Sequence, residues 1–253
     1  YDGYPPRDHV VKYLAHYEQR YSLPIRRGQR VKQLLHDSAF HLNNLTARNV
    51  VMATGIWSAP FVPFVPGTFA GEQLHAASYR RPADFAGQRV AVVGGGNSGA
   101  QIVADLGLNG VDVQWFTRRP PSYMPDDVDG AQLFRRNRER FVAIARGEGD
   151  PGGADFGGDI VVVPEVHRAR AQGLLDASPM PASLDSLADF DALIWATGFR
   201  PALSPVRSLE LGLDTPGLFV LGFDSLNGPG AGTIGGVSPF ARDIAKQIVG
   251  IDQ

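Results

Sequence analysis

An α/β protein built on parallel sheets is what this sequence predicts, and three observations predict it. Apolar strands alternate with amphipathic helices, the arrangement that buries a parallel sheet under helical crossovers. One strand runs into the turn Gly94-Gly95-Gly96-Asn97-Ser98-Gly99, a helix follows, and a second strand returns within about 30 residues, the span of a βαβ unit. The tripeptide Ala-Thr-Gly occurs twice, at Ala53-Thr54-Gly55 and Ala196-Thr197-Gly198. Each copy ends an apolar strand and the two flank the βαβ unit, as expected of twin crossovers between two domains.

The elements follow in order. Residues 7–21 predict a helix, because Val10, Val11, Leu14, Tyr17 and Tyr21 recur at three- and four-residue spacing and Asp8 sits near the amino end. Asn49 to Thr54 reads as a short buried strand, and Pro60, Pro63 and Pro66 make residues 56–71 a linker. Arg89 to Val93 predicts a strand, Ser98 to Leu108 a helix and Val111 to Thr117 a strand. Gln132 to Arg146 predicts a basic helix with Leu133, Phe134, Phe141 and Ile144 as its apolar side, followed by a Gly/Asp-rich loop at 147–158. Phe190 to Thr197 and Gly217 to Gly222 predict two more strands. Thr233 to Val249 predicts a closing helix with Ile234, Val237, Phe240, Ile244 and Ile248 facing inward.

Composition removes several function classes. A chain of 253 residues with 43% hydrophobic and 20% charged residues can bury a core of one large or two small domains. A net charge of −2 gives no field to gather nucleic acid or an anionic membrane. No apolar run approaches spanning length and no signal peptide opens the chain, so a cytoplasmic setting is expected. Zero cysteines exclude disulfides, thiolate nucleophiles and redox dithiols from these residues. The six histidines form no i, i+4 ligand pair, so no metal site is expected.

The glycine turn carries the clearest chemistry. Gly94, Gly96 and Gly99 fit G-x-G-x-x-G: the first permits the turn, the second lets backbone approach a pyrophosphate, and the third lets helix and strand pack closely. Amides of Gly95, Asn97 and Ser98 then lie at the amino end of a helix, where phosphate is favoured. A ligand-free glycine turn is the bland alternative, but three glycines in a helix-entry position weaken local structure for nothing. At the end of the second strand an NAD site places Asp or Glu on the ribose hydroxyls. Here stand Thr117-Arg118-Arg119, and a guanidinium accepts a 2′-phosphate in forked geometry, so NADPH is expected over NADH.

The segment Phe69-Ala70-Gly71-Glu72-Gln73-Leu74-His75-Ala76-Ala77-Ser78-Tyr79 fits F-x-G-x-x-x-H-x-x-x-Y just ahead of the glycine turn. It resembles the identifying motif of the flavin-containing monooxygenases, the class B flavoprotein monooxygenases. Baeyer–Villiger relatives usually end that motif in Trp, so Tyr79 resembles the N- and S-oxidising branch. Tyr4-Pro5-Pro6-Arg7-Asp8 with Tyr13, Leu14 and Tyr17 is similar to the family's helix after its first flavin-contacting region. Ala53 to Trp57 and Ala196 to Pro201 are similar to its two interdomain turns.

The resemblance implies a two-dinucleotide-binding-domain flavoprotein fold of the short bacterial type, a Rossmann-like NADPH domain inserted in an FAD domain. Residues 60–196 would form the NADPH domain, and 1–59 with 197–253 the remainder of the FAD domain. It implies NADPH and FAD as cofactors, dioxygen and a small-molecule substrate as partners, and a homodimer as in many members. Oxygen would pass through a C4a-peroxyflavin to a soft nucleophile such as a sulfide, an amine or a ketone, with no side chain acting as an acid or base. Thr54, Gly55, Thr197, Gly198, Asp224, Asn227 and Thr233 would line the cofactors, with the closing helix aimed at the flavin. The family's first fingerprint, which holds the FAD pyrophosphate, is absent from these residues, and the chain reads as a fragment beginning mid-protein. The stretch Val31 to Val50 reads as too short for the family's β excursion, and Leu184 to Phe190 as clipped. Two other readings stand beside this one: a non-catalytic NADPH-binding module, and a flavin-dependent NADPH reductase of another acceptor.

Overall fold

The computed structural model describes residues 5–126, 128, 130–149, 159–207 and 212–251. The chain opens with α1 (Arg7–Arg20), then a small antiparallel meander of β1 (Leu35–His36), β2 (Phe40–Leu42) and β3 (Leu45–Ala47), then β4 (Val50–Met52). After the proline-rich linker come β5 (Glu72–His75), β6 (Arg89–Val93), α2 (Asn97–Leu108), β7 (Asp112–Thr117) and α3 (Gly130–Ala145). α4 (Pro164–Ala171), β8 (Ala177–Pro179) and β9 (Ala192–Trp195) complete the middle of the chain. β10 (Leu218–Val220), the single turn α5 (Asp224–Asn227) and α6 (Val237–Ile251) follow.

Five strands form one all-parallel sheet in the order β5-β9-β6-β7-β8. β6 lies between β7 and β9, so the strand order reverses at its carboxyl end, the place where open α/β sheets bind ligands. The sequence explains why β6 can sit there. Its run Val90-Ala91-Val92-Val93 is buried on both faces, as a central parallel strand must be. Val90 and Val92 join Ala192 and Ile194 in a core closed by α2 and α4. Ala91 and Val93 join Leu193 and Trp195 in a second core, closed by Val65, Leu184, Leu187 and Phe190. A third core gathers Leu34, Phe40, Met52, Val206 and Leu218 around the two-stranded parallel sheet β4–β10.

The long elements fall where the sequence places them, and four differences are informative. α1 exists, but it buries no residue, and Val11, Leu14, Tyr17 and Tyr21 are exposed. The stretch 31–50, expected to be too short for the family's β excursion, holds a compressed β1–β3 meander, with strands of two or three residues. The closing helix begins at Val237 rather than Thr233, so Ile234 precedes it and is exposed, while Val237, Phe240, Ile244 and Ile248 are half-buried as expected. Leu184–Leu187 forms a compact 3-10 turn that packs Leu184 and Leu187 under the sheet. The side chains of the expected apolar side of α3 (Leu133, Phe134, Phe141, Ile144) and residues 150–158 of the loop lie outside what is described. Among the described residues no helix is long and apolar enough to cross a membrane.

Candidate dinucleotide site and the clamp beside it

The turn Gly94 to Gly99 sits at the switch point, between β6 and α2. Each glycine meets a different physical demand. Gly94 has φ +138°, and a Cβ on it would lie 2.1 Å from the Ala196 carbonyl oxygen, so only glycine fits. A Cβ on Gly99 would lie 2.0 Å from the Gly94 carbonyl oxygen, which sets the close approach of α2 to the turn. Gly96 is the N-cap of α2, makes no side-chain cap bond, and would point a Cβ into open space. That opening above an uncapped helix start is what a bound phosphate group requires, so the residues fit a dinucleotide.

The turn is fixed from behind. Gly94 N donates to Phe116 O at 2.9 Å, and Trp115 Nε1 donates to Gly94 O at 2.8 Å. Asn97 Oδ1 accepts the Val161 amide at 2.8 Å, so its side chain ties the turn to residues 159–163. Ser98 lies on the wall of a cavity of about 720 Å³ that also reaches Trp57, Tyr79, Gln101, Asp105 and Phe199. Thr117, buried at the end of β7, lies against Gly95, whose Cβ position is 3.4 Å from the Thr117 Cβ. Arg118 and Arg119 follow it, both exposed.

The F-x-G-x-x-x-H-x-x-x-Y segment forms β5 and the short 3-10 turn Ala76–Ser78. Phe69 packs on the second core. Gly71 lets the chain pass the Asp191 carbonyl, which a Cβ would approach to 2.2 Å. His75 Nδ1 accepts the Ala77 amide at 3.1 Å, which leaves Nε2–H to donate to Gly198 O at 2.9 Å. Tyr79 donates its hydroxyl to Asp105 Oδ2 on α2 at 2.7 Å and stacks on Phe85. Burial, with the Asp105 hydrogen bond and charge, pushes the Tyr79 phenol far above its ordinary range, so it remains a donor throughout the working pH range. These four residues clamp β5 to the core, to the second crossover and to α2.

Each Ala-Thr-Gly turn is bonded to the stretch that follows the other. Thr54 Oγ1 donates to Ala202 O at 2.8 Å, and Ala202 N donates to Gly55 O at 2.9 Å. Thr197 Oγ1 donates to Phe61 O, and Phe61 N donates to Gly198 O at 2.9 Å. Trp57 stacks on Phe199 with centroids 5.4 Å apart, and Phe199 meets His75 edge-on. Gly55 and Gly198 take φ +64° and +78°, values that favour glycine. The threonine side chains named as cofactor-lining are therefore engaged in joining the crossovers.

Near the start of α6, Asp224 Oδ1 accepts the Gly232 amide at 2.8 Å. Asn227 Nδ2 donates to Val220 O at 2.7 Å, and its Oδ1 accepts the Phe223 amide. Thr233 Oγ1 donates to Gly230 O at 2.6 Å and accepts the Gly236 amide at 3.1 Å. Thr233, Gly235 and Gly236 line a cavity of about 610 Å³ that Arg138 of α3 also reaches. Sequence reasoning missed Asp105, the partner of Tyr79, and the Trp57–Phe199 stack. Both join residues far apart in the chain, and no local pattern marks them.

The chain matches the pyridine nucleotide-disulphide oxidoreductase family over residues 2–221. The flavin-containing monooxygenase of Stenotrophomonas maltophilia is 36% identical and superposes with a TM-score of 0.81; the match covers all of this chain and 80% of that one. An uncharacterized CzcO-like oxidoreductase of Geobacillus kaustophilus is 26% identical over 98% of this chain and 79% of its own length. An indole-3-pyruvate monooxygenase of Oryza sativa is 33% identical over 53% of this chain and 36% of its own length.

Proposed function

Because the chain belongs to the pyridine nucleotide-disulphide oxidoreductase family, among its flavin monooxygenases, we propose that it works as an NADPH- and FAD-dependent monooxygenase of small soft nucleophiles. The observation that carries this reading is the Gly94–Gly99 turn, open over Gly96 at the switch point and clamped to the F-x-G-x-x-x-H-x-x-x-Y segment through α2. The chemistry supplied by bound FAD is acceptance of a hydride from NADPH and activation of dioxygen for transfer of one oxygen atom.

This chain's own residues bind and orient. Amides at Gly95 to Gly99 hold the NADPH pyrophosphate, and Arg118 and Arg119 hold its 2′-phosphate. Residues 60–196 form the NADPH half, and 1–59 with 197–253 belong to the flavin half. The bonded crossovers between Thr54 and Ala202, and between Phe61 and Gly198, support that division. In the flavin half the cavity beside Thr233, Gly235 and Gly236 offers room at the amino end of α6, where the helix dipole favours negative charge on a reduced flavin ring. His75 and Tyr79 spend their hydrogen bonds on holding the crossover and α2 rather than on substrate.

The test is made on the native protein. It should purify yellow, oxidise NADPH faster when a sulfide or amine is added, and place one atom of labelled dioxygen in the product. A colourless protein that NADPH still stabilises, or NADPH oxidation without label in any product, would overturn the reading.

A further inference from the structure

A second basic site lies on the outer side of the crossovers. A cavity of about 560 Å³ there is lined by Arg30, Arg200, Arg207, Ser58, Ser204 and Phe64 among its residues, and among the described residues by no Asp or Glu. The three arginines come from three separate stretches: the segment before β1, the second crossover, and the turn after it. Main-chain bonds set those stretches side by side. Arg200 N donates to Ala59 O at 2.9 Å, and Leu34 N donates to Pro205 O at 2.9 Å. The Arg200 guanidinium is further held over the Phe61 ring, 4.3 Å from its centroid.

Among the described residues no carboxylate pairs with this charge. Arg27, Arg81 and Arg170 pair with Glu18, Asp84 and Asp126. Arg30, Arg200 and Arg207 form no ion pair among the described residues. In a chain with more carboxylates than cations, three arginines lining one cavity place like charges on the same wall, and an anion between them would relieve their repulsion. Their planar forks match phosphate oxygens, and two serine hydroxyls on the same wall add donors.

We propose that this cavity binds a compact phosphorylated anion, at a site separate from the dinucleotide turn, with which it shares no lining residue. The anion bridges Arg30, Arg200 and Arg207 beside Ser58 of the first crossover, so it fastens both crossovers from outside.

Calorimetry tests this with inorganic pyrophosphate and, separately, ADP, titrated into the native FAD-containing protein saturated with NADP⁺ at fixed ionic strength. One-site binding is expected, weakened about tenfold or more in Arg207→Gln and in Arg30→Gln and unchanged in Arg118→Gln. Tighter binding of ADP identifies a nucleotide whose base lies on the exposed Phe64, and equal binding identifies the free anion; either supports the site. Equal affinity in wild type and both variants overturns it, as does loss on Arg118→Gln. Binding that appears only after FAD is stripped also overturns it, because the cavity would then belong to the cofactor. All three changes lie on the exposed surface, and unaltered NADPH oxidation in Arg207→Gln and Arg30→Gln separates failure of the site from failure of the proposed activity.

Discussion

The β6–α2–β7 unit and α1 announce themselves in the sequence with comparable apolar patterns, yet they end in opposite environments. β6 is buried on both faces, and α2 buries Ala100, Ile102, Val103, Ala104 and Leu106. α1 buries nothing, and Val11, Tyr13, Leu14 and Tyr17 on it, with Tyr21 at its C-cap, face outward. Periodicity specifies which face of an element is apolar. It does not specify what meets that face, which depends on neighbours brought in from elsewhere in the chain.

The largest expected contrast separates two glycines with positive φ. Gly94→Ala drives a Cβ into the Ala196 carbonyl and should cost about 3 kcal/mol or more in denaturant unfolding. Gly228, at φ +124°, would place a Cβ 3.5 Å from Phe240, so Gly228→Ala should cost only the backbone strain, about 1 kcal/mol. Equal losses would erase the difference in packing between the two regions.

Next comes Val92→Ala, which empties part of a fully buried site and should cost about 2–3 kcal/mol, against about 0.5 kcal/mol or less for Leu14→Ala on exposed α1. A large loss at Leu14 in the native protein would reveal a partner for that face. Within the first region, replacing Arg118 and Arg119 by Ala should weaken NADPH by about 1–3 kcal/mol while leaving NADH nearly unchanged. Parallel losses for both nucleotides would remove the 2′-phosphate assignment.

Tyr79→Phe deletes the bond to Asp105 and should cost about 1–2 kcal/mol in thermal unfolding, with NADPH affinity falling in step if the clamp sets the pitch of α2. Unchanged stability would show that Asp105 finds water instead. The smallest effect is acid-dependent. The Thr68 amide, the Ser183 hydroxyl and the Thr68 hydroxyl hold Asp185 below its ordinary carboxylate range. A carboxyl depressed in the folded state adds stability above its unfolded pKa of about 4 and loses it as pH falls through the lower folded value. Carbon-detected titration of Asp185 should therefore show a midpoint below that of an unfolded peptide, and a midpoint at or above it would contradict the hydrogen-bonded tie.

Legibility followed the range of the interactions. The βαβ unit was readable because glycine spacing and an unbroken Val90–Val93 run are local signals. β5 was not, since Glu72 and Gln73 give an edge strand a polar sequence, and β8 ends in Pro179. The β1–β3 strands are too short to show a period, and the eight-residue α4 carries only Val166 and Ala169 into the core. At the site, the resemblance picked out Phe69, Gly71, His75 and Tyr79 as a set, but the Tyr79–Asp105 and His75–Gly198 bonds that clamp it span 26 and 123 residues of chain. Thr54, Thr197, Thr233 and Asn227, expected to line cofactor, each bond a main-chain oxygen, contacts that leave no local mark in the sequence.

The indole of Trp115 holds the Gly94 carbonyl from behind, through a bond that lies wholly within the protein. A loop already frozen in its working shape surrenders little disorder when a ligand arrives. Capture of the coenzyme should then proceed at the pace of diffusional encounter, with no slow rearrangement afterwards, and a Trp115→Phe protein would be expected to bind more sluggishly long before it lost its fold.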